Sequence, residues 1–146
     1  MSELLKNLII AEMANALNAT VGKNAHAILR RTGISISQIL WPELPSGLKA
    51  EDAGKILVEK LNENAYFGEC RMGGIENGEI KVEFKNCFLS DITDLTGSPC
   101  GEQLICQLSF GIIEETFHRL SGEKVRVKFE RFDQGKNTCY KTIFPR

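Results

Sequence analysis

The chain has 146 residues, 42% of them hydrophobic and 25% charged, with a net charge of −1. This composition is globular rather than disordered, and the length suits one domain whose core needs no disulfide staple. No apolar run approaches the ~20 residues of a membrane helix, and Met1-Ser2-Glu3 opens nothing like a secretory signal, so the five cysteines read as cytoplasmic thiols or metal ligands.

Ser2 is placed to cap a first helix, in which Leu4, Leu5, Leu8, Ile9, Met13, Ala16 and Leu17 recur at three- and four-residue steps. A second helix is expected from near Asn24, carrying Ala27, Ile28 and Leu29 and ending or kinking at Gly33. Ile34, Ile36 and Ile39 leave the type of the 34–40 stretch open. Trp41-Pro42-Glu43-Leu44-Pro45-Ser46-Gly47 is a loop, because two prolines and a glycine break either period. A third helix over about Glu51 to Asn62 buries Ala53, Ile56, Leu57 and Leu61.

From Tyr66 the period changes to two. Tyr66 to Gly74 reads as a strand, and Glu76-Asn77-Gly78 as a hairpin turn, since Asn-Gly accepts positive φ angles. The returning strand sends Ile80, Val82, Phe84 and Asn86 to one face and Glu79, Lys81, Glu83 and Lys85 to the other. Ser98-Pro99 reads as the start of a long helix reaching about Leu120, with Leu104, Ile105, Leu108, Ile112, Ile113 and Phe117 as its apolar set. Val125, Val127 and Phe129 alternate with charged residues, Asp133 to Asn137 turns the chain, and Thr138 to Phe144 returns. The expected fold is α+β: a four-stranded antiparallel sheet of two hairpins, packed against N-terminal helices and one long helix between the hairpins. All of it forms one domain, helical over about 1–63, with the sheet and long helix over about 66–146.

Charge is uneven along the chain: from Arg119 onward eight Lys/Arg face three acids. Such a tail is an anion-binding surface, a partner interface or the solvated face of two strands. Few aromatics and no base-stacking motif argue against nucleic acid as a partner.

Among candidate sites, Cys106, Glu130, Asp133 and Cys139 could supply two thiolates and two carboxylates to a tetrahedral zinc. They lack a close-set Cys-x-x-Cys spacing, and Glu130 and Asp133, three apart, converge only if the chain bends at Arg131-Phe132. Cys100, near a helix start, is a candidate reactive thiol, but no histidine stands near it as base. Cys70 and Cys87 read as packing residues. Glu114, Glu115 and His118 give one Glu-x-x-His copy where a di-iron bundle needs two, so they read as a solvated helix face. No nucleophile elbow, dinucleotide fingerprint or phosphate loop occurs, and no catalytic residue stands out.

A longer pattern carries a resemblance. Ser98-Pro99-Cys100, Gly111-Ile112-Ile113-Glu114, Leu120-Ser121-Gly122 leading into Val125-Arg126-Val127, then Glu130, Gly135 and Cys139 before an apolar strand, resemble the 4-vinyl-reductase or hydrocarbon-binding domain. That module also serves as the sensor of aromatic-responsive bacterial regulators and is akin to Golgi transport-particle subunits. The resemblance spans about residues 66–146, with Arg30 to Gly33 its echo in the N-terminal helices. It implies an α+β dimer with an internal apolar pocket. It also implies a zinc held by Cys106, Glu130 and Cys139, with Asp133 in place of the sensors' third cysteine and Cys100 as an alternative first ligand. A site with four protein ligands would be structural, because no coordination position stays open.

The function expected on this footing is binding of an apolar, hydrocarbon-like or aromatic small molecule, in a sensory or carrier role rather than a catalytic one. Phe84, Phe88, Leu104, Leu108, Ile112 and Phe117 are the expected lining. The alternatives are a dimeric interaction subunit with a self-filled pocket and a component of a reductase. A homodimer is expected through Leu4, Leu5, Leu8, Ile9 and Ile10, a stripe wider than a small domain needs for its own core.

Overall fold

The computed structural model describes residues 2–92 and 103–146. Helix α1 (Glu3–Val21) starts where the sequence caps it: the Leu5 N–H donates to the Ser2 Oγ at 3.1 Å. Ala11 and Ala14 are its buried positions, while Leu4, Leu5, Leu8, Ile9 and Met13 remain exposed. After a 3-10 turn, Gly22–Asn24, helix α2 runs over Ala25–Leu40, and α3 over Ala50–Asn62.

Helix α2 passes unbroken through Gly33, which corrects the break expected there. The glycine serves packing instead. Helix α4 (Cys106–Ser121) crosses α2 so closely that backbone atoms of Leu108, Gly111 and Ile112 stand where a Gly33 Cβ would go. Gly111 meets the Arg30 backbone in the same way. A helical glycine costs about 1 kcal/mol relative to alanine, and tertiary packing readily overrides that preference. Polar groups fix the crossing further. Ser37 and Thr116 share a buried hydroxyl hydrogen bond at 2.7 Å. Arg119 donates to the Ser37 and Trp41 carbonyls at 3.2 and 2.6 Å, satisfying the end of α2. Arg30 donates to Gln107 at 2.7 Å and to Glu114 at 2.5 Å; the same Glu114 oxygen accepts the Val127 N–H at 3.0 Å. Glu114, expected on a solvated face, therefore ties α2 and α4 to the sheet.

Strands β1 (Glu69–Glu76), β2 (Glu79–Lys85), β3 (Val125–Asp133) and β4 (Thr138–Pro145) form one antiparallel sheet in the order β1-β2-β4-β3. The first hairpin turns at Asn77 and Gly78, both at positive φ. Strand β1 begins three residues later than expected, because Ala65 and Gly68 at positive φ turn the chain before it enters the sheet. Register places Cys70 opposite Phe84, and Phe84 opposite Cys139; Val82 faces Lys141, and Ile80 faces Ile143. All of these are buried and form the inner face, against which α3, α4 and the 3-10 turn Phe88–Ile92 build the core. The long helix ends at Gly122, in the left-handed region, whose N–H reaches the His118 carbonyl at 2.7 Å. Its expected start at Ser98-Pro99 lies outside the described residues.

Candidate functional site

An apolar groove of about 630 Å³ runs between α1, α2 and the opening turns of α4. Met13, Leu17, Ile28, Ile36, Ile105 and Leu108 are among its walls. Its origin is local: small residues at Ala11 and Ala14 seat α1, and the larger side chains around them stand apart from those of α2. Thr20 and Thr32 also line it, but each hydroxyl donates to its own helix, Thr20 to the Ala16 carbonyl at 2.8 Å and Thr32 to the Ile28 carbonyl at 2.9 Å. The groove thus offers burial and dispersion rather than directed hydrogen bonds, at ~25 cal/mol per Å² of apolar surface removed from water. Its volume falls within the roughly 300–1,000 Å³ of small-molecule pockets.

On the sheet side of the same α4 turns lies a buried polar cluster. Lys141, 5% exposed, points from β4 into the core. Its Nζ donates to the Ser109 Oγ at 3.1 Å and sits 4.7 Å from the ring centres of both Phe84 and Phe110. Ser109 in turn donates to the Cys106 carbonyl at 2.7 Å. Burial pushes the Cys70 thiol up from 9.0 to about 12 and the Cys87 thiol up to about 11, with the Lys141 charge pulling weakly the other way. Neither thiol is therefore a nucleophile near neutral pH. The sequence held a signal for Lys141 that local reading passed over: Cys139, Lys141 and Ile143 alternate onto one face, and two of the three are apolar.

The expected lining residues do not share one cavity among the described voids. Leu108 lines the groove. Phe84, Ile112 and Phe117 are buried in the core, Leu104 is half-buried at its edge, and Phe88 is partly exposed while stacked on Phe67 at 6.2 Å. The groove walls that sequence reading missed, Ile28 and Ile36 among them, belong to the helix it expected to break.

The residues of the expected metal set are placed as follows. Cys106 and Cys139 are buried in the core. Strand β3 does bulge, at Glu130, which is exposed. Beyond the bulge Phe132 pairs with Cys139, and Asp133 pairs with Thr138 and accepts the Lys136 N–H at 3.2 Å. Alternation thus turns Asp133 away from the face that carries Cys139. Among the described residues no three His, Cys, Asp or Glu side chains gather as a metal would require, so these residues do not fit the zinc that the resemblance implies. Cys100 lies outside the described residues. His118 sits 3.1 Å from the Glu123 carbonyl, beyond the end of its helix. No helix among the described residues is long and apolar enough to cross a membrane.

A second depression, of about 660 Å³, lies on the outer sheet face between Glu69, Arg71, Glu83, Lys85, Lys136 and Tyr140. Its charges alternate in sign, as on a solvated face.

No protein-family model matches the chain, and no curated protein matches it in sequence. Solved structures do. The phenol-responsive sensory domain of the transcription activator PoxR, solved with phenol, superposes with a TM-score of 0.69 at 12% identity, over 95% of this chain and 74% of that one. A trafficking protein particle complex subunit 3 from Naegleria fowleri, covalently bound to palmitic acid, superposes with a TM-score of 0.56 at 12% identity, over 97% of this chain and 96% of that one. At that identity the likeness is one of fold.

Proposed function

We propose that the chain is a small-molecule-binding domain for apolar, hydrocarbon-like or aromatic ligands, of the kind that the 4-vinyl-reductase resemblance implies. The observation that carries the reading is the groove between α1, α2 and α4, with its apolar walls and internally satisfied hydroxyls. Two proteins of like fold support it, one solved with phenol and the other carrying palmitic acid. A sensory or carrier role suits described walls made of apolar side chains and of two hydroxyls bonded within their own helices.

Thermal unfolding with neutral apolar probes tests this. Phenol, p-cresol and decanol are each titrated, and at least one is expected to raise the midpoint saturably. At a hundred times Kd, ligand binding is worth about 2.7 kcal/mol, or roughly 5–10 °C for a domain of this size. Leu108→Glu, placing a carboxylate in the wall, abolishes the effect. The reading is lost if none of the probes gives a saturable shift.

A second reading is favoured by α1, whose apolar side chains stay largely outside the core. On it the chain self-associates through that helix, as a homodimer.

A further inference from the structure

We propose that a second copy of the chain completes the ligand groove, its α1 roofing the open side with Leu5 and Ile9. This rests on the reading of the domain as a binder of apolar small molecules and adds what closes the site.

Helices α1 and α2 and the opening turns of α4 supply the walls, and the groove is open beyond them. Met13 lines it yet stays 68% exposed, and Ile28 on the α2 wall is exposed as well. Small-molecule sites bury roughly 70–90% of their ligand. An apolar molecule lying against these walls alone keeps part of its surface in water, and that part adds nothing to affinity.

The means of closing the groove lies on α1 itself. Leu5, Ile9, Met13 and Leu17 stand four residues apart and form one ridge, about 18 Å long, that winds about 120° around the helix. Leu5 and Ile9, its first half, are exposed and stand outside the groove walls. Met13 and Leu17, its second half, are groove wall. A helix laid along the exposed half therefore also lies across the groove at Met13.

A second copy is the occupant that fits. The exposed apolar side chains of α1 leave on the order of 500 Å², enough for the apolar centre of a two-fold interface of about 800 Å² per partner. Two-fold pairing joins a patch to itself, so the patch must complement its own shape. This one does. In an antiparallel pair of α1 helices, Leu5 meets the small, exposed Ala16 of the other copy, and Ile9 meets its Met13. Ala16 and Met13 are both groove walls, so each copy's first turns roof the other's site.

The test uses the tightest binder among phenol, p-cresol and decanol, with light scattering for mass and calorimetric titration for affinity. If the partner completes the site, binding and pairing strengthen each other. Saturating probe is then expected to lower the dimer dissociation constant of the wild type about ten-fold or more, a readout that needs no substitution. Leu5→Lys with Ile9→Lys leaves every described wall of a copy's own groove in place. This variant is expected at the mass of one chain, binding the probe about ten-fold or more weakly than the dimeric wild type, while Ile9→Leu keeps both properties. A wild type that stays a single chain at high micromolar concentration with probe present overturns the proposal. So does a dimer whose dissociation constant ignores the probe, or a single-chain variant that binds as tightly as the wild type. Each of these leaves the apolar-binding reading standing. Failure of the wild type to bind any of the three probes overturns the two together.

Discussion

At the scale of single residues, the chemistry of this core is governed by desolvation. Cys70 and Cys87 lie among apolar side chains, where a thiolate loses its water and gains little in return, so the thiols rise to about 12 and about 11 from 9.0. The nearby ammonium of Lys141 pulls both down and does not reverse the sign. Two outcomes follow. In the native protein both cysteines resist alkylation at pH 8 and react only when the chain unfolds, which peptide mapping after brief iodoacetamide treatment will show. Stability also becomes pH-dependent on the alkaline side. The folded pKa values are raised, so the stability associated with these thiols is intact below pH 9.0 and declines as pH rises towards about 11 and 12. At pH 10 the loss is on the order of 1 kcal/mol for each thiol, read as a lower denaturant midpoint than at pH 8. Cys70→Ala and Cys87→Ala each remove their own share of that decline.

At the scale of elements, the crossing of α2 over α4 organises the helical layer, and it depends on two residues without side chains. A Cβ on Gly33 or Gly111 would strike backbone atoms of the opposing helix, which cannot rotate away as a flexible side chain does. Gly33→Ala and Gly111→Ala are each expected to cost about 2–3 kcal/mol, as overpacking does, despite alanine's better helix propensity. Chemical denaturation measures the loss. A neutral or stabilising result at either position would mean that the helices stand further apart than described. The same crossing shows what local sequence reading can and cannot reach. The alternation of Ile80, Val82 and Phe84 announced both the strand and its buried face, because a period of two is written in adjacent residues. The Asn77-Gly78 turn and the Ser2 cap were equally visible, since each acts over a few positions. Gly33 was not, because the reason for it lies 78 positions away at Gly111, and a glycine explained by a distant backbone looks like a helix end. The groove was hidden for a related cause. Its walls come from three helices, and only the α4 wall, through Leu108, was expected at the site.

At the scale of the whole molecule, α1 is the element least accounted for by the chain's own core. Leu4 is 62% exposed, Leu5 48%, Ile9 42% and Met13 68%. With Leu8 these side chains leave on the order of 500 Å² of apolar surface on one helix, near the upper range for the largest patch of a monomer. A two-fold interface of ordinary size takes about 800 Å² from each partner, of which the stripe and the exposed Ile28 would supply the apolar centre and polar residues the rim. The expectation is therefore a dimer, with light scattering giving twice the 16.3 kDa of the chain. Two sites on α1 must be kept apart in testing this. Met13 lines the groove, whereas Leu4 and Leu5 do not, so Leu4→Lys with Leu5→Lys charges the stripe and spares the ligand walls. Both positions are exposed, and the double substitution should change the unfolding of the protomer by no more than about 0.5 kcal/mol for each surface change. If the stripe joins two copies, this variant runs at 16.3 kDa and still responds to apolar probes. A wild-type protein already at 16.3 kDa at high micromolar concentration removes the dimer while leaving the groove untouched. A variant that loses ligand response along with its partner would show that the second copy completes the groove.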